Sequence, residues 1–525
     1  MSQLIKSSSA MSAATLLSRV LGLGREVAYT WFMGTTWVAD AFNLAFAVPN
    51  LFRRLLGEGA LTAAFIPVFK TKEKTEGEAS MWQAANAVIS ALVVAASVVV
   101  ALGILGVSVA LATGWITSGN TLLMLGLLRM LMPYLILVCL AAIFMGMLNA
   151  RGHFFIPTLG ASMLNVVMIA SVGLSYWIGK LNGLREDQRI YGLAIGVVLA
   201  GIAQAAFQLP LLRKEGFRYR WTTPWRDETV RRVVAQMLPG SIGVAAFQIN
   251  VLLTNGLAFV VDQGVLTSFT VAVRLMELPQ GVFGIAMASV LLPTLSGLAA
   301  EKKYPEFRAT LGQGLNWLVF INLLASVLLV ALAEPMIRLI FERGKFDAAS
   351  TLASASALTF LAPGLVAFSV VNVLARAFYA LGDIKTPMWI SIFCLATNLV
   401  ITLAVIWKFK QAGMGFANTL TALMNVSLLL YALRKKLKTL DLAELKRHLA
   451  VLTGAALGAG AVAWYAAHWW AGTVGHANFL AKAGEVFVPM TLAAALYFGI
   501  SIAFKTGHTD DLLGMVKSRQ HRRKA

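Results

Sequence analysis

Two stretches, Ala150-Arg-Gly152-His-Phe-Phe-Ile-Pro157 and Ala380-Leu-Gly382-Asp-Ile-Lys-Thr-Pro387, align at a spacing of 230 residues. The same spacing relates Leu131-Met132-Pro133 to Leu361-Ala362-Pro363, and Pro49 to Pro279. Between the prolines the register slips: Ala60-Leu-Thr-Ala-Ala-Phe-Ile-Pro67 aligns with Ala286-Met-Ala-Ser-Val-Leu-Leu-Pro293 at an offset of 226. The first copy therefore carries four extra residues, about one helical turn. Pro and Gly are the residues that bend or end a helix, so their ordered recurrence at one period marks a duplicated helical architecture.

The sequence around these landmarks is apolar. Of 525 residues 58% are hydrophobic and 13% charged, and the mean hydropathy is +0.74, a balance that excludes a soluble protein. Apolar runs continue over about twenty residues or more, the length of a membrane-spanning helix, whereas barrel strands alternate over about ten. The reading is an all-α polytopic membrane protein of about 14 transmembrane helices. Spans are expected at 12–33, 41–69, 82–112, 121–150, 156–178, 190–212, 233–261, 267–299, 310–333, 348–380, 387–407, 411–433, 449–472 and 483–504. The second is interrupted by Arg53, Arg54 and Glu58. Cys139 and Cys394 sit in apolar runs and read as small buried hydrophobes rather than as a disulfide or a metal site.

The net charge of +20 would suggest a nucleic-acid partner in a soluble protein. Here the placement of the charges gives it another meaning. Assigned to alternate sides of the spans, 28 Lys and Arg fall on one side, 9 on the other and 7 within spans. The excess belongs inside, so both termini are expected in the cytoplasm, with no nucleic acid bound. The basic tail, with Lys517, Arg519, Arg522, Arg523 and Lys524, reads as an anchor on anionic phospholipid. The serine-rich N-terminus with Arg19, Arg25 and Glu26 lacks the clean apolar core of a signal peptide, and Gly22-Leu-Gly24 is no dinucleotide fingerprint.

Six spans separate the two copies, so they share one orientation. They are expected to be related by an axis along the membrane normal, with a substrate site between them near the midplane. The expected organisation is an N-terminal lobe at 1–230, a C-terminal lobe at 231–440, two extra helices within 441–505 and a basic tail at 506–525.

A charge at the centre of a spanning helix costs about 2.5–3.5 kcal/mol on insertion scales, and its presence calls for a purpose. The first span carries Arg19, Arg25 and Glu26. The second begins near Asp40 and carries Arg53, Arg54 and Glu58, the eighth carries Arg274 and Glu277, and Arg129 and Arg376 lie in the fourth and tenth. Ser18 and Arg25, seven apart, share a helical face; Arg54–Glu58 and Arg274–Glu277 have the i,i+4 and i,i+3 spacings of ion pairs. Arginines still exceed acids. Guanidinium forks bind phosphate oxygens bidentately and stay charged whatever the site does, so the implied ligand is a polyanion. The competing explanation is that these side chains snorkel to the cytoplasmic interface.

These residues also carry a resemblance. Ser18-Arg19-Val-Leu-Gly22-Leu-Gly-Arg25-Glu26, Ala39-Asp40-Ala-Phe, Pro49-Asn50-Leu-Phe-Arg53-Arg54-Leu-Leu-Gly-Glu58-Gly59-Ala, Arg274-Leu-Met-Glu277-Leu-Pro279 and Gly344-Lys345-Phe346 resemble the MurJ (MviN) lipid II flippases, over nearly the whole chain. The resemblance implies a fourteen-helix member of the multidrug/oligosaccharidyl-lipid/polysaccharide exporter superfamily that moves undecaprenyl-pyrophosphate-linked peptidoglycan precursor outward by alternating access. It implies substrate-binding roles for Arg19, Arg25, Arg53 and Arg274, and a functional role for Asp40. Ser18, Glu26, Arg54, Glu58 and Glu277 are expected as supporting or gating residues. It also implies that the two extra helices form a groove for the lipid tail.

Other classes fit less well. A membrane glycosyltransferase would need clustered acids for metal or base chemistry, yet Glu186-Asp187, Asp227-Glu228 and Asp510-Asp511 are scattered over loops and tail. A drug or ion antiporter of the same superfamily would place acids where this chain has arginines, and an exporter of another polyprenyl-linked oligosaccharide remains the alternative. No cofactor or bound metal is expected, and the absence of a phosphate loop argues against ATP hydrolysis in this chain. Asn250, Asn255 and Asn398 read as polar glue between helices rather than as cation ligands.

Overall fold

The computed structural model describes residues 2–57, 60–440 and 443–504; Glu58 and the basic tail lie outside the described residues. The protein is all-helical in class and multi-pass. Among the described residues ten helices are long and apolar enough to cross a bilayer, or up to eleven if a pair bent by 44° is taken as one span. That pair is α5 (Gly119–Leu131) and α6 (Tyr134–Ala150), separated at Met132-Pro133, where the proline ring cannot continue the hydrogen-bond ladder. The span expected at 121–150 is thus bent at this point.

By contacts the chain divides into two compact units, Met1–Thr267 and Ser268–Ala525. The first holds α1 (Ser2–Met33), α2 (Trp37–Phe52), α3 (Ala60–Glu76), α4 (Glu78–Ala112), α5, α6, α7 (Phe155–Leu181), α8 (Glu186–Lys214) and α9 (Glu228–Val261). Helix α1 packs on α7, α7 on α8, and α9 on α2, α3 and α4. Two apolar cores hold the unit together, one around Phe65, Phe69, Leu135 and Met147, the other around Phe42, Tyr134, Leu193 and Val197.

The second unit begins within α10 (Val265–Pro279) and continues through α11 (Ala286–Ala300), α12 (Tyr304–Ala331), the short α13 (Ala333–Phe341), α14 (Ala348–Leu361), α15 (Leu365–Ala380), α16 (Lys385–Leu437), α17 (Ala443–Thr473) and α18 (Phe479–Ala503). At about 1.5 Å per residue, α16 would be far longer than the ~30 Å hydrocarbon core. It is a hairpin: Lys410 has φ 48° and ψ −129°, and Asn398 Nδ2 donates to Thr421 Oγ1 of the other limb at 3.1 Å. Asn398 thus joins two helices. Helices α17 and α18 dock on α12 through an alanine stripe, Ala455, Ala459 and Ala463, that packs with Phe320, Leu328 and Leu332. Small residues let helices approach closely where lipid supplies no hydrophobic drive. Tyr497 Oη donates to the Phe320 carbonyl at 2.8 Å.

The aligned stretches fold alike within each unit. Helix α6 ends at Ala150 and α15 at Ala380, and the next glycines, Gly152 and Gly382, have φ of +89° and +73°, the left-handed closure that glycine adopts without strain. The His153 amide donates to the Leu148 carbonyl and the Asp383 amide to that of Phe378, both at 2.9 Å. The chemistry at the two corners is inverted. His153 Nε2 lies 2.8 Å from Glu215 at the end of α8, whereas Asp383 Oδ2 accepts from Lys436 Nζ at 2.7 Å at the end of α16. Arg151, beside the first corner, bonds Glu215 Oε2 at 2.8 Å and Glu78 at 3.0 Å and also pairs with Glu73. Hydrogen bonds from His153 and Arg151 hold Glu215 below the usual carboxylate range. Burial alone would raise Asp383, yet hydrogen bonds from Lys436 and Thr386 bring it down to about 2.

Candidate functional site

Arg19 and Arg25 lie on α1. Arg19 is exposed and Arg25 half-buried, with its guanidinium paired to the neighbouring Glu26. Ser18 uses its carbonyl to accept from Asn165 Nδ2 of α7 at 3.4 Å, so the Ser18 face of α1 is turned towards α7. The helix ends at Gly34, φ +63°, and α2 starts behind the N-cap Thr36, whose side chain accepts from the Ala39 amide.

Asp40, in the first turn of α2, is 1% exposed. Its Oδ2 accepts from the Gly264 amide at 2.6 Å, and its Oδ1 accepts from both the amide and the hydroxyl of Thr267, at 2.8 and 2.6 Å. The carboxylate therefore caps the N-terminus of α10, where unsatisfied amides and the helix dipole favour an anion. Asn43 Nδ2 donates to Thr267 Oγ1 at 3.0 Å, which orients the hydroxyl towards Asp40. Gly264 is required twice over. Its φ is +79°, and a Cβ there would lie 2.4 Å from the Thr35 carbonyl oxygen. The sequence pointed to Asp40 but not to Gly264 or Thr267, because a contact across 224 residues has no local signature.

Arg53 stands where α2 ends. Its Nε donates to Asn50 Oδ1 at 2.8 Å, and with Arg54 it opens a π-helical segment, Arg53–Gly57. A second π segment, Gln280–Ile285, follows Pro279 in the other unit. In each unit the wide turn lies between the two aligned prolines, Pro49 and Pro67 in one, Pro279 and Pro293 in the other. Segments of this kind often mark functional positions, because they re-aim side chains that a regular helix would place elsewhere. No feature of periodicity distinguishes them in the sequence.

Arg274, on α10 in the second unit, pairs with Glu277 at 2.9 Å. The two side chains are 38% and 49% exposed, on a helix that belongs to a candidate membrane span. Arg376 lies 5.9 Å from the Tyr379 ring centroid, and Arg129 is exposed.

In the first unit Arg19 and Arg25 lie on α1, Arg25 paired with Glu26, and Arg53 and Arg54 lie at the end of α2, while Asp40 is engaged by Gly264 and Thr267. Guanidinium groups are suited to anionic oxygens. Among the described residues no group of three or more His, Cys, Asp or Glu could hold a metal.

A family model described as Lipid II flippase MurJ matches residues 29–483. A probable lipid II flippase MurJ from Vibrio cholerae is 34% identical over 81% of this chain and 82% of its own length. A solved structure of a lipid II flippase MurJ in an inward closed conformation superposes with a TM-score of 0.78 at 22% identity, over 96% of this chain and 99% of that one. An inward-facing multidrug transporter of the MATE family gives 0.67 at 13% identity, over 82% of this chain and 98% of that one. At such identities the two structures speak for the fold.

Proposed function

Because the chain belongs to the MurJ lipid II flippase family, we propose that it is a transporter, not an enzyme. In this reading it moves the undecaprenyl-pyrophosphate-linked peptidoglycan precursor from the cytoplasmic to the periplasmic leaflet of the bacterial inner membrane, in the service of cell-wall synthesis. The observation that carries this reading is the set of arginines on α1 and at the end of α2, Arg19, Arg25 and Arg53, with the nearby Asp40 engaged in capping α10. Lipid II has a pyrophosphate, a polar disaccharide-pentapeptide that hydrocarbon rejects, and a polyprenyl tail that need never leave the bilayer. Arg19, Arg25, Arg53 and Arg274 hold the pyrophosphate by charge and fork geometry together. Alternating access, with the two halves rocking in turn, carries the head across.

The same reading takes the protein as a fourteen-span bundle. Beyond the candidate spans above, the fourteen include α1 and α2 with α3, which carry the functional charges, and α16 supplies two. Both termini face the cytoplasm, and α17 and α18 guide the lipid tail. Ser18, Glu26, Glu58 and Glu277 orient the arginines.

Growth of cells depleted of their own flippase and supplied with this chain tests the reading. Rescue, together with protection of labelled lipid II from the cytoplasmic side in vesicles, is the expected result. Transport of a cationic drug with no lipid II movement would instead favour an antiporter of the same superfamily.

A further inference from the structure

The second unit holds a cavity of about 820 Å³ where α12, α13, α14, α17 and α18 meet. Its polar end is built around Arg338 of α13. The guanidinium Nη1 donates to Glu485 Oε1 of α18 at 2.7 Å, another nitrogen pairs with Glu334, and Nε lies 3.6 Å from Glu342. Lys482 Nζ reaches Glu342 at 3.0 Å. Three carboxylates thus meet two cations, leaving one negative charge over. Glu485 is 2% exposed, it belongs to the cavity wall, and its second oxygen, Oε2, has no hydrogen-bond partner. A buried carboxylate oxygen left unpaired is costly, and a native site that keeps one calls for a donor. The rest of the wall is mostly apolar, with Leu352, Leu457 and Trp464 exposed on it and His468 and His476 as further polar groups, and apart from α13 its helices belong to candidate membrane spans.

We propose that this cavity binds an aminophospholipid, its primary ammonium donating to the Glu485 and Glu334 carboxylates and its acyl chains lying along the α14 and α17 wall. The net negative charge calls for a cation. The unpaired oxygen calls for one that carries N–H donors, which a quaternary amine lacks, and the apolar wall calls for one attached to a chain. The occupant is a membrane lipid other than the transported substrate, and although the cavity shares α17 and α18 with the tail path proposed above, its ammonium-binding end at Glu485 and Glu334 is tested by headgroup preference and not by flipping.

The test is native mass spectrometry of the purified full-length chain in detergent, offered phosphatidylethanolamine, phosphatidylcholine or phosphatidylglycerol of matched acyl chains. Retention of phosphatidylethanolamine about tenfold above the other two is expected, as is its loss to their level in Glu485→Gln. Free ethanolamine at the same concentration should leave no adduct. Ala461→Phe, which fills the wall without touching a charge, should also remove the preference, and it serves where Glu485→Gln fails to fold. Equal retention of the three lipids, an undiminished preference in either folded variant, or binding of ethanolamine as strong as that of the lipid overturns the proposal.

Discussion

Asp40 and Thr267 are joined twice, the carboxylate of one accepting from both the amide and the hydroxyl of the other at 2.8 and 2.6 Å. The bond is buried and ties the start of α2 to the start of α10. Thr267→Val removes only the hydroxyl and should lower unfolding free energy by about 1 kcal/mol, whereas Asp40→Ala strands two amides and should cost about 2–3 kcal/mol. Thermal unfolding of the purified variants checks the order. Equal losses would mean that the amide bonds contribute nothing.

The arginines separate charge from geometry. Ala at Arg19, Arg25, Arg53 or Arg274 should lower flipping at least about tenfold while the protein still inserts, because removing an intramembrane charge lowers the insertion cost. Lys should fail where a fork grips phosphate and suffice where only the field matters. Complementation with membrane levels checked by immunoblot reads the result. Growth at normal levels with Ala at three of the four positions would sink the cationic mechanism in favour of snorkelling.

Acid should loosen the corner at Asp383. Its folded value of about 2 lies below the ordinary 3.8, so the unfolded chain binds the proton more readily and stability rises with pH across that interval. The contribution, roughly 2 kcal/mol by this shift, is fully present above the unfolded value and fades as pH falls from about 4 towards 2. Melting temperatures of wild type and Asp383→Asn should therefore differ by a constant amount above about pH 5, by about half that amount near pH 3, and converge only below about pH 2. A gap already gone at pH 4, or undiminished at pH 2, would contradict the assignment.

Orientation follows from the asymmetry of Lys and Arg. Reporter fusions after Lys74, Arg220 and Lys436 should read cytoplasmic, and those near Asp187 and Arg343 periplasmic. A periplasmic signal at Arg220 would break the scheme, since that loop carries seven of the inside charges.

What the sequence determined by itself was the helical class, the recurrence of the Pro and Gly landmarks and the identity of the charged residues. Hydropathy over twenty residues is a sum, insensitive to packing. Gly152 and Gly382 close helices through backbone geometry that is local to a few residues, so their alignment was already visible as a repeat. The arginine excess on α1 and α2 was legible for the same reason: a charge in an apolar run is costly wherever the helix goes.

Tertiary structure decided the pairings. Asp40 reads equally well as a partner for arginine or as a cap, and only the approach of Gly264 and Thr267 selects the cap. The π segments after Arg53 and Pro279 depend on how neighbouring helices press on the chain, and they leave no period to detect. Arg338 and Glu485 stand 147 residues apart, each unremarkable in its own helix. The energy of such contacts comes from desolvated atoms brought within 3 Å, and that distance is set by the packing of whole helices rather than by any stretch of sequence.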